Sequence, residues 1–417
     1  MIDFKKYTLD NGLKILIHED SSTPLVAMNL IYDVGSRDED PEMTGMAHLF
    51  EHLMFGGSEN IPDFDTPLQM AGAENNAFTN NDITNYYLTI PANNLETGFW
   101  LESDRMLGLN FSEEVLGIQK KVVIEEYKQR YLNQPYGDTM LLLRPMAYKV
   151  HPYQWTTIGK DISHIEKATM ASVKDFFFSH YTPNNAILSV TGNINHEEVV
   201  SLANKWFGPI GRREIALRKL PREPEQNEER LSETEKDVPS DVLNKCWHVC
   251  GRSEKKFITL DLLTDLLSGG ESGRLYSSLV RDKKLFSDIN AYLTGEIDPG
   301  LLIISGKLMD GIDFRTADEA VNEVIEDLKK GSVAETEMKK VRNKFESSMV
   351  FSNTSILNKA MNLGFYELLG DANEVNRELD LYNEVDPDMV VEAAKNYLKP
   401  TNCSSLRYKS KKKGKPE

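Results

Sequence analysis

Cysteine is nearly absent: Cys246, Cys250 and Cys403 are the only three in a chain of 417 residues. So small and odd a number leaves no disulfide framework and fits a reducing compartment. Long apolar runs are lacking too. None approaches the roughly 20 residues of a membrane span, so no membrane partner is expected. Positive charge is outnumbered, with 48 Lys and Arg against 65 Asp and Glu. The resulting net charge of −17 disfavours nucleic acid and anionic lipid surfaces as partners. The amino terminus, Met1 to Lys6, has no apolar signal-peptide core and runs directly into strand-like sequence. A cytoplasmic location, or a trimmed form of the protein, is therefore expected. The basic end, Lys409 to Lys415, reads as a solvated terminus.

Histidine is scarce, with eight in the chain, yet two of them fall in Ala47-His48-Leu49-Phe50-Glu51-His52-Leu53-Met54-Phe55. On a helix, residues at i and i+4 project from one face about one turn apart, a spacing at which two imidazoles can grip one metal ion. Glu51 sits beside them and could take a proton from a metal-bound water. His-x-x-Glu-His inverts the commoner His-Glu-x-x-His and is a zinc-peptidase signature. By chance it should arise roughly once in a hundred chains of this composition, so a third ligand is needed to support it. Cys246-Trp-His248-Val-Cys250 is a weaker metal candidate. It lies in strand-like sequence, where the three side chains share a face but lack a fourth ligand.

With 40% hydrophobic and 27% charged residues, the composition is that of a globular protein. Its length exceeds what one core usually supports, so two domains are expected. Leu13 to His18 and Leu25 to Val34 read as strands feeding the motif helix, which stops at Gly56-Gly57. A short helix (Asp63 to Gly72), strands (Asn76 to Thr79, Ile83 to Pro91) and helices (Ala92 to Leu107, Ser112 to Tyr131, Asp138 to Lys149) follow. Tyr181 to Gly192 then reads as a turn and buried strand. Its tyrosine followed by Pro-x-Asn recurs near the carboxyl end at Tyr397, Pro400 and Asn402, again before a strand, which suggests an internal duplication. When the halves are aligned on Gly56-Gly57 and Gly269-Gly270, Asp261, Thr264 and Asp265 occupy the positions of His48, Glu51 and His52, so only the first half could carry the site. The expected architecture is α+β: two homologous α/β sandwich domains, each a mostly antiparallel sheet with helices packed on one face. The boundaries are 1–215, a linker at 216–238 rich in charge and proline, and 239–417.

Val122-Val-Ile-Glu125-Glu126-Tyr127 is the best place to look for the third ligand. On a helix, positions 115, 119 and 122 each fall within about 40° of position 126, so Glu126 shares a partly apolar stripe. Glu125 points about 100° away. A metal ion would compensate a carboxylate there. An ordinary solvated helix face accounts for the same pattern.

The residues now assembled resemble the pitrilysin-type zinc metallopeptidases, the family of mitochondrial processing peptidase and insulin-degrading enzyme. The resemblance spans nearly the whole chain. It rests on His48-x-x-Glu51-His52, on the spacing from there to Glu126, on His151-Pro-Tyr followed by Ile158-Gly159, and on the strand unit ending at Gly192. It implies that His48, His52 and Glu126 hold one Zn2+ per chain and that Glu51 is the general base of an endopeptidase. It also implies that Asn76-Ala77-Phe78 is an edge strand pairing with the peptide substrate. Short members of the family comprise two such halves and act as dimers; longer ones fuse four.

Two positions depart from the family pattern. Gln119 stands where active members often carry a second, supporting glutamate. In the second half Arg281 matches a substrate-binding arginine, but Asp288 replaces the tyrosine seven residues after it, and Tyr292 lies four further on. An aspartate cannot donate to an oxyanion at neutral pH. A heterodimer with a metal-free homologous subunit is therefore expected, with a homodimer as the alternative. Because the family also includes structural subunits, a non-catalytic assembly role is the rival function. Retention of Glu51 beside both histidines argues against it.

Overall fold

In the computed structural model, which describes residues 1–215 and 217–411, the chain opens with β1 (Lys5–Thr8), β2 (Lys14–Glu19) and β3 (Leu25–Tyr32). Next come α1 (Met46–Leu53), α2 (Asp65–Met70), β4 (Glu74–Thr79), β5 (Thr84–Pro91), α3 (Leu95–Leu107) and α4 (Glu113–Tyr127). Then α5 (Thr139–Ala147), α6 (Ile162–Lys167), α7 (Met170–His180), β6 (Ala186–Gly192) and α8 (His196–Trp206) complete the first half. The second half has β7 (Arg230–Lys236), β8 (Val242–His248), α9 (Lys256–Ser268), β9 (Phe286–Leu293) and β10 (Leu301–Leu308). It ends with α10 (Phe314–Lys330), α11 (Glu335–Ser352), α12 (Ile356–Leu369), α13 (Glu378–Glu384), α14 (Pro387–Tyr397) and β11 (Cys403–Ser410).

The strands form two sheets, in the orders β1-β2-β6-β3-β5-β4 and β7-β11-β8-β10-β9. Each is antiparallel except at one pair, β2 with β6 and β7 with β11. Leaving out β1, the two orders are the same and the parallel pair falls at the same place, so the duplication is visible in the topology. β7 lies inside the stretch expected to be a linker. Its residues are nearly all exposed, and it is held by backbone pairing to β11 from Ser404↔Arg230 to Ser410↔Lys236. A strand at a sheet edge buries neither face and so shows no apolar alternation, which is why its charged sequence reads as linker.

Nor do the two compact units follow contiguous boundaries. One comprises Met1–Lys128, Trp155–Pro221 and Met349–Arg377; the other comprises Gln129–Gln154, Arg222–Ser348 and Glu378–Glu417. Within the first, β3 and β6 are buried along almost their whole length because both sheet faces are covered, not the single face expected. Met28 meets Gly98 of α3 on one face, whereas Asn29 and Ile31 meet Gly364 of α12 on the other, as strand alternation requires. The face under α12 is partly polar: Asn29, Ser189 and Thr191 are fully buried there, and Asn29 is paired in register with Ser189. The second unit repeats the plan. α5 contributes Leu143 and Ala147 to a cluster with Val242, Cys246, Leu301, Ile303 and Leu406, while Leu243 and Trp247 join the larger core with α9, α10 and α14. Each half of the chain thus lends a helix to the other half's sheet.

Among the described residues no helix is long and apolar enough to cross a membrane. The lysines beyond 411 lie outside the described residues.

The second unit depends on a buried ion pair. Arg144 Nη2 lies 2.6 Å from Glu296 Oε1, and both side chains are buried. Arg144 Nη1 also donates to the Tyr153 carbonyl at 3.1 Å. Replacing Arg144 by Met strands a buried carboxylate, which costs about 3–5 kcal/mol. The expected outcome is a lower denaturant midpoint with an unchanged slope.

Candidate metal centre

α1 buries Met46, Ala47, Leu49, Phe50 and Leu53, which turns His48, Glu51 and His52 to its half-exposed side. Phe50 packs on Phe176 and Tyr181 with ring centres 5.2 Å away in each case. The helix starts at Gly45, whose φ of +90° suits glycine. Its first amides would otherwise lack acceptors. Glu39 supplies them, its carboxylate accepting from Gly45 N and from Ala47 N, each at 2.9 Å.

The other ligand helix, α4, is capped by the Ser112 hydroxyl, which accepts from Val115 N at 3.1 Å, with Glu113 and Glu114 in the first turn facing the helix dipole. It buries Leu116, Val123 and Tyr127. The helix then continues in a wider, π-helical turn at Lys128–Leu132, so the helical stretch reaches as far as the one expected. Glu125 is exposed and pairs with Lys128 at 2.7 Å. Glu126 instead faces α1, with Oε2 at 3.4 Å from His52 Nε2 and 3.7 Å from His48 Nε2. The two imidazoles stand edge to face with centres 4.9 Å apart.

His48, His52 and Glu126 each offer a donor atom within 4.8 Å of the others, and no other group of three His, Cys, Asp or Glu among the described residues does so. Cys246, His248 and Cys250 therefore form no such group. His248 bonds the Ala147 carbonyl at 3.0 Å through Nε2 instead. Donors around a tetrahedral ion at roughly 2.1 Å would stand about 3.4 Å apart, so the observed spacing fits a metal such as zinc.

Burial pushes the Glu51 carboxyl above its ordinary value; Thr79 and His52 act against that rise and Glu126 adds to it. Thr79 ends β4, whose outer edge has no strand partner among the described residues. On that strand Asn76 and Phe78 are exposed and Ala77 is half-buried, with Asn76↔Tyr87, Ala77↔Tyr86 and Phe78↔Asn85 in register. Gln119 is half-buried on α4. Arg281 belongs to the second unit, exposed and paired with Asp282 at 3.0 Å. Asp288 and Tyr292 lie on β9 opposite Lys307 and Ile303, both pointing to its exposed face. At the second unit's counterpart positions, Tyr382 donates to Asp261 at 2.6 Å, Thr264 donates to its own helix, and Lys344 pairs with Asp265 at 2.6 Å.

The fold and these three convergent donors define a duplicated α+β protein with, among the described residues, one centre competent to hold a metal. Two family models match it: Insulinase (Peptidase family M16) over residues 14–157, and Peptidase M16 inactive domain over residues 167–345. The chain belongs to this pitrilysin-type, M16 peptidase family. A Helicobacter pylori protein named zinc protease PqqE is 28% identical over 405 residues, which is 96% of this chain and 91% of that one. The Bacillus subtilis protein YmxG, named an uncharacterized zinc protease, is 26% identical over 389 residues, covering 91% and 92%. The crystal structure of a protease from Helicobacter pylori superposes with a TM-score of 0.92 at 27% identity, covering 98% of this chain and 100% of that one.

The sequence reading missed Glu39. A carboxylate that caps a helix six residues away leaves no periodic signal. Burial pushes it up to about 8 against the pull of the two amides. Because the folded value exceeds the unfolded one, the stability Glu39 contributes below about pH 4.5 is lost as pH rises through about 8. Thermal unfolding from pH 5 to 8 checks this: the advantage of the native chain over Glu39→Gln is expected to shrink as pH rises, each kcal/mol appearing as about 2–4 °C.

Proposed function

We propose that this chain is a zinc-dependent endopeptidase that cleaves peptides or unfolded segments bound as an added β-strand. The observation that carries the reading is the convergence of His48, His52 and Glu126 beside Glu51 at the end of an edge strand. His48 Nε2, His52 Nε2 and a Glu126 oxygen would hold the ion. When bound, zinc supplies Lewis acidity, lowering the pKa of water towards roughly 7 and polarising a carbonyl. Glu51 accepts the attacking water's proton on a carboxylate oxygen and hands it to the departing amine nitrogen. A carboxyl raised by partial burial is better matched to that work near neutral pH. The outer edge of β4 offers its amides and carbonyls to the substrate backbone, with selectivity left to the positions beside Asn76, Ala77 and Phe78. Gln119 supports the centre by hydrogen bonding without adding charge.

Glu51→Gln is expected to keep one zinc per chain while peptide hydrolysis falls by about 10²–10⁴-fold. His48→Ala and Glu126→Gln should lose the metal. Metal analysis with a quenched-peptide assay reads both, and native protein without zinc would overturn the enzyme in favour of a non-catalytic assembly subunit.

Asp288 supports a second part of the reading: Arg281 binds substrate, but the donor for the oxyanion comes from a metal-free homologous subunit in a heterodimer. Adding that subunit should raise the rate by about tenfold or more, the order expected for one oxyanion donor. Full activity of the purified chain with no increase on addition argues for the homodimer instead.

A further inference from the structure

We propose that the segment 156–168 is a clasp that sets the separation and register of α1 and α4, with His164 and Lys120 as positioning residues for the metal ligands. The inference rests on the reading of His48, His52 and Glu126 as a metal centre. α1 and α4 pack against each other, and just past the end of α1 the apolar side chain of Val115 on α4 meets Gly56. Such contact is non-directional and leaves a helix able to slide along its axis, whereas hydrogen bonds have fixed lengths and angles.

The clasp supplies those bonds at both helices. At the entry to α1, fully buried Thr44 donates its amide to His164 Nδ1 at 3.0 Å, and its hydroxyl oxygen lies 2.9 Å from the same nitrogen. An amide can only donate, so Nδ1 is the acceptor. Lys160 N donates to Thr44 Oγ1 at 2.9 Å. The two backbones touch: at Gly159, φ +92°, a Cβ would lie 2.9 Å from the Thr44 carbonyl oxygen, and at Gly45 it would lie 2.9 Å from the Ile158 oxygen. At α4, Lys120 Nζ donates to the carbonyls of Glu166 and Ala168 at 2.6 and 2.9 Å, and the hydroxyl of Tyr127, the neighbour of Glu126, reaches the Lys160 carbonyl at 3.5 Å. One short segment is therefore bonded four residues before His48 and again beside Glu126. A ligand set must be held to within about 0.5 Å, and losing a supporting bond typically weakens metal binding by about 10–100-fold.

The test uses the full chain with His164→Ala, His164→Asn and Lys120→Met. Zinc affinity is measured by chelator competition and ligand geometry by the electronic spectrum of the cobalt-substituted protein. Exchange of the α1 amides is followed on metal-free protein. His164→Ala and Lys120→Met are expected to weaken zinc binding by about tenfold or more, alter the cobalt spectrum and speed α1 exchange. His164→Asn, which keeps an acceptor, should restore most of the affinity. A lower melting temperature with affinity and spectrum unchanged overturns the clasp. So does unchanged α1 exchange. That last arm needs no metal. If the native chain binds none, the metal reading fails by itself while exchange still decides whether the segment fixes the helix.

Discussion

Two imidazoles and one carboxylate must meet within a few ångströms although the carboxylate lies on a separate helix, far along the chain from His52. Everything in the first unit serves that meeting. α1 can present His48, Glu51 and His52 because its opposite side is locked into the core by Leu49, Phe50 and Leu53. α4 can present Glu126 because Leu116, Val123 and Tyr127 fix its rotation. Bringing an acidic group against a half-buried apolar stripe costs free energy unless a positive charge compensates it. A local conflict tolerated by an otherwise consistent fold marks a candidate functional site.

The second unit provides the control. It repeats the strand order and the edge strand, yet at the positions matching the ligands it carries carboxylates already satisfied by Tyr382 and by the ammonium of Lys344. A built-in cation does there what an ion would do in the first unit. The same scaffold is thus found with and without a metal-competent centre, which is why function has to be argued from the site rather than from the fold.

How much of this is legible in the sequence follows from the range of each signal. The pairing of His48 with His52 is fixed by helical spacing, and the angle between Glu125 and Glu126 separates the exposed residue from the one that faces α1. The repeated tyrosine and Pro-x-Asn turn exposes the duplication. β7 is not legible, because an edge strand exposed on both sides carries no pattern. The placement of α5 and α12 is not legible either: an amphipathic helix announces that it must cover an apolar face, not which face. Glu39 and His164 act through a few hydrogen bonds to Gly45, Ala47 and Thr44, and such contacts leave no trace in local composition.

The exchange of helices between the halves bears on how the chain is born. β6, the last strand of the first sheet, ends at Gly192, whereas the helix that roofs its outer face begins at Ile356. At about 5–20 residues per second the ribosome leaves that face open for roughly 8–30 s. An all-aliphatic sheet face waiting that long would be a site for association with other nascent chains. Asn29, Ser189 and Thr191 make it one that water can wet until its cover arrives.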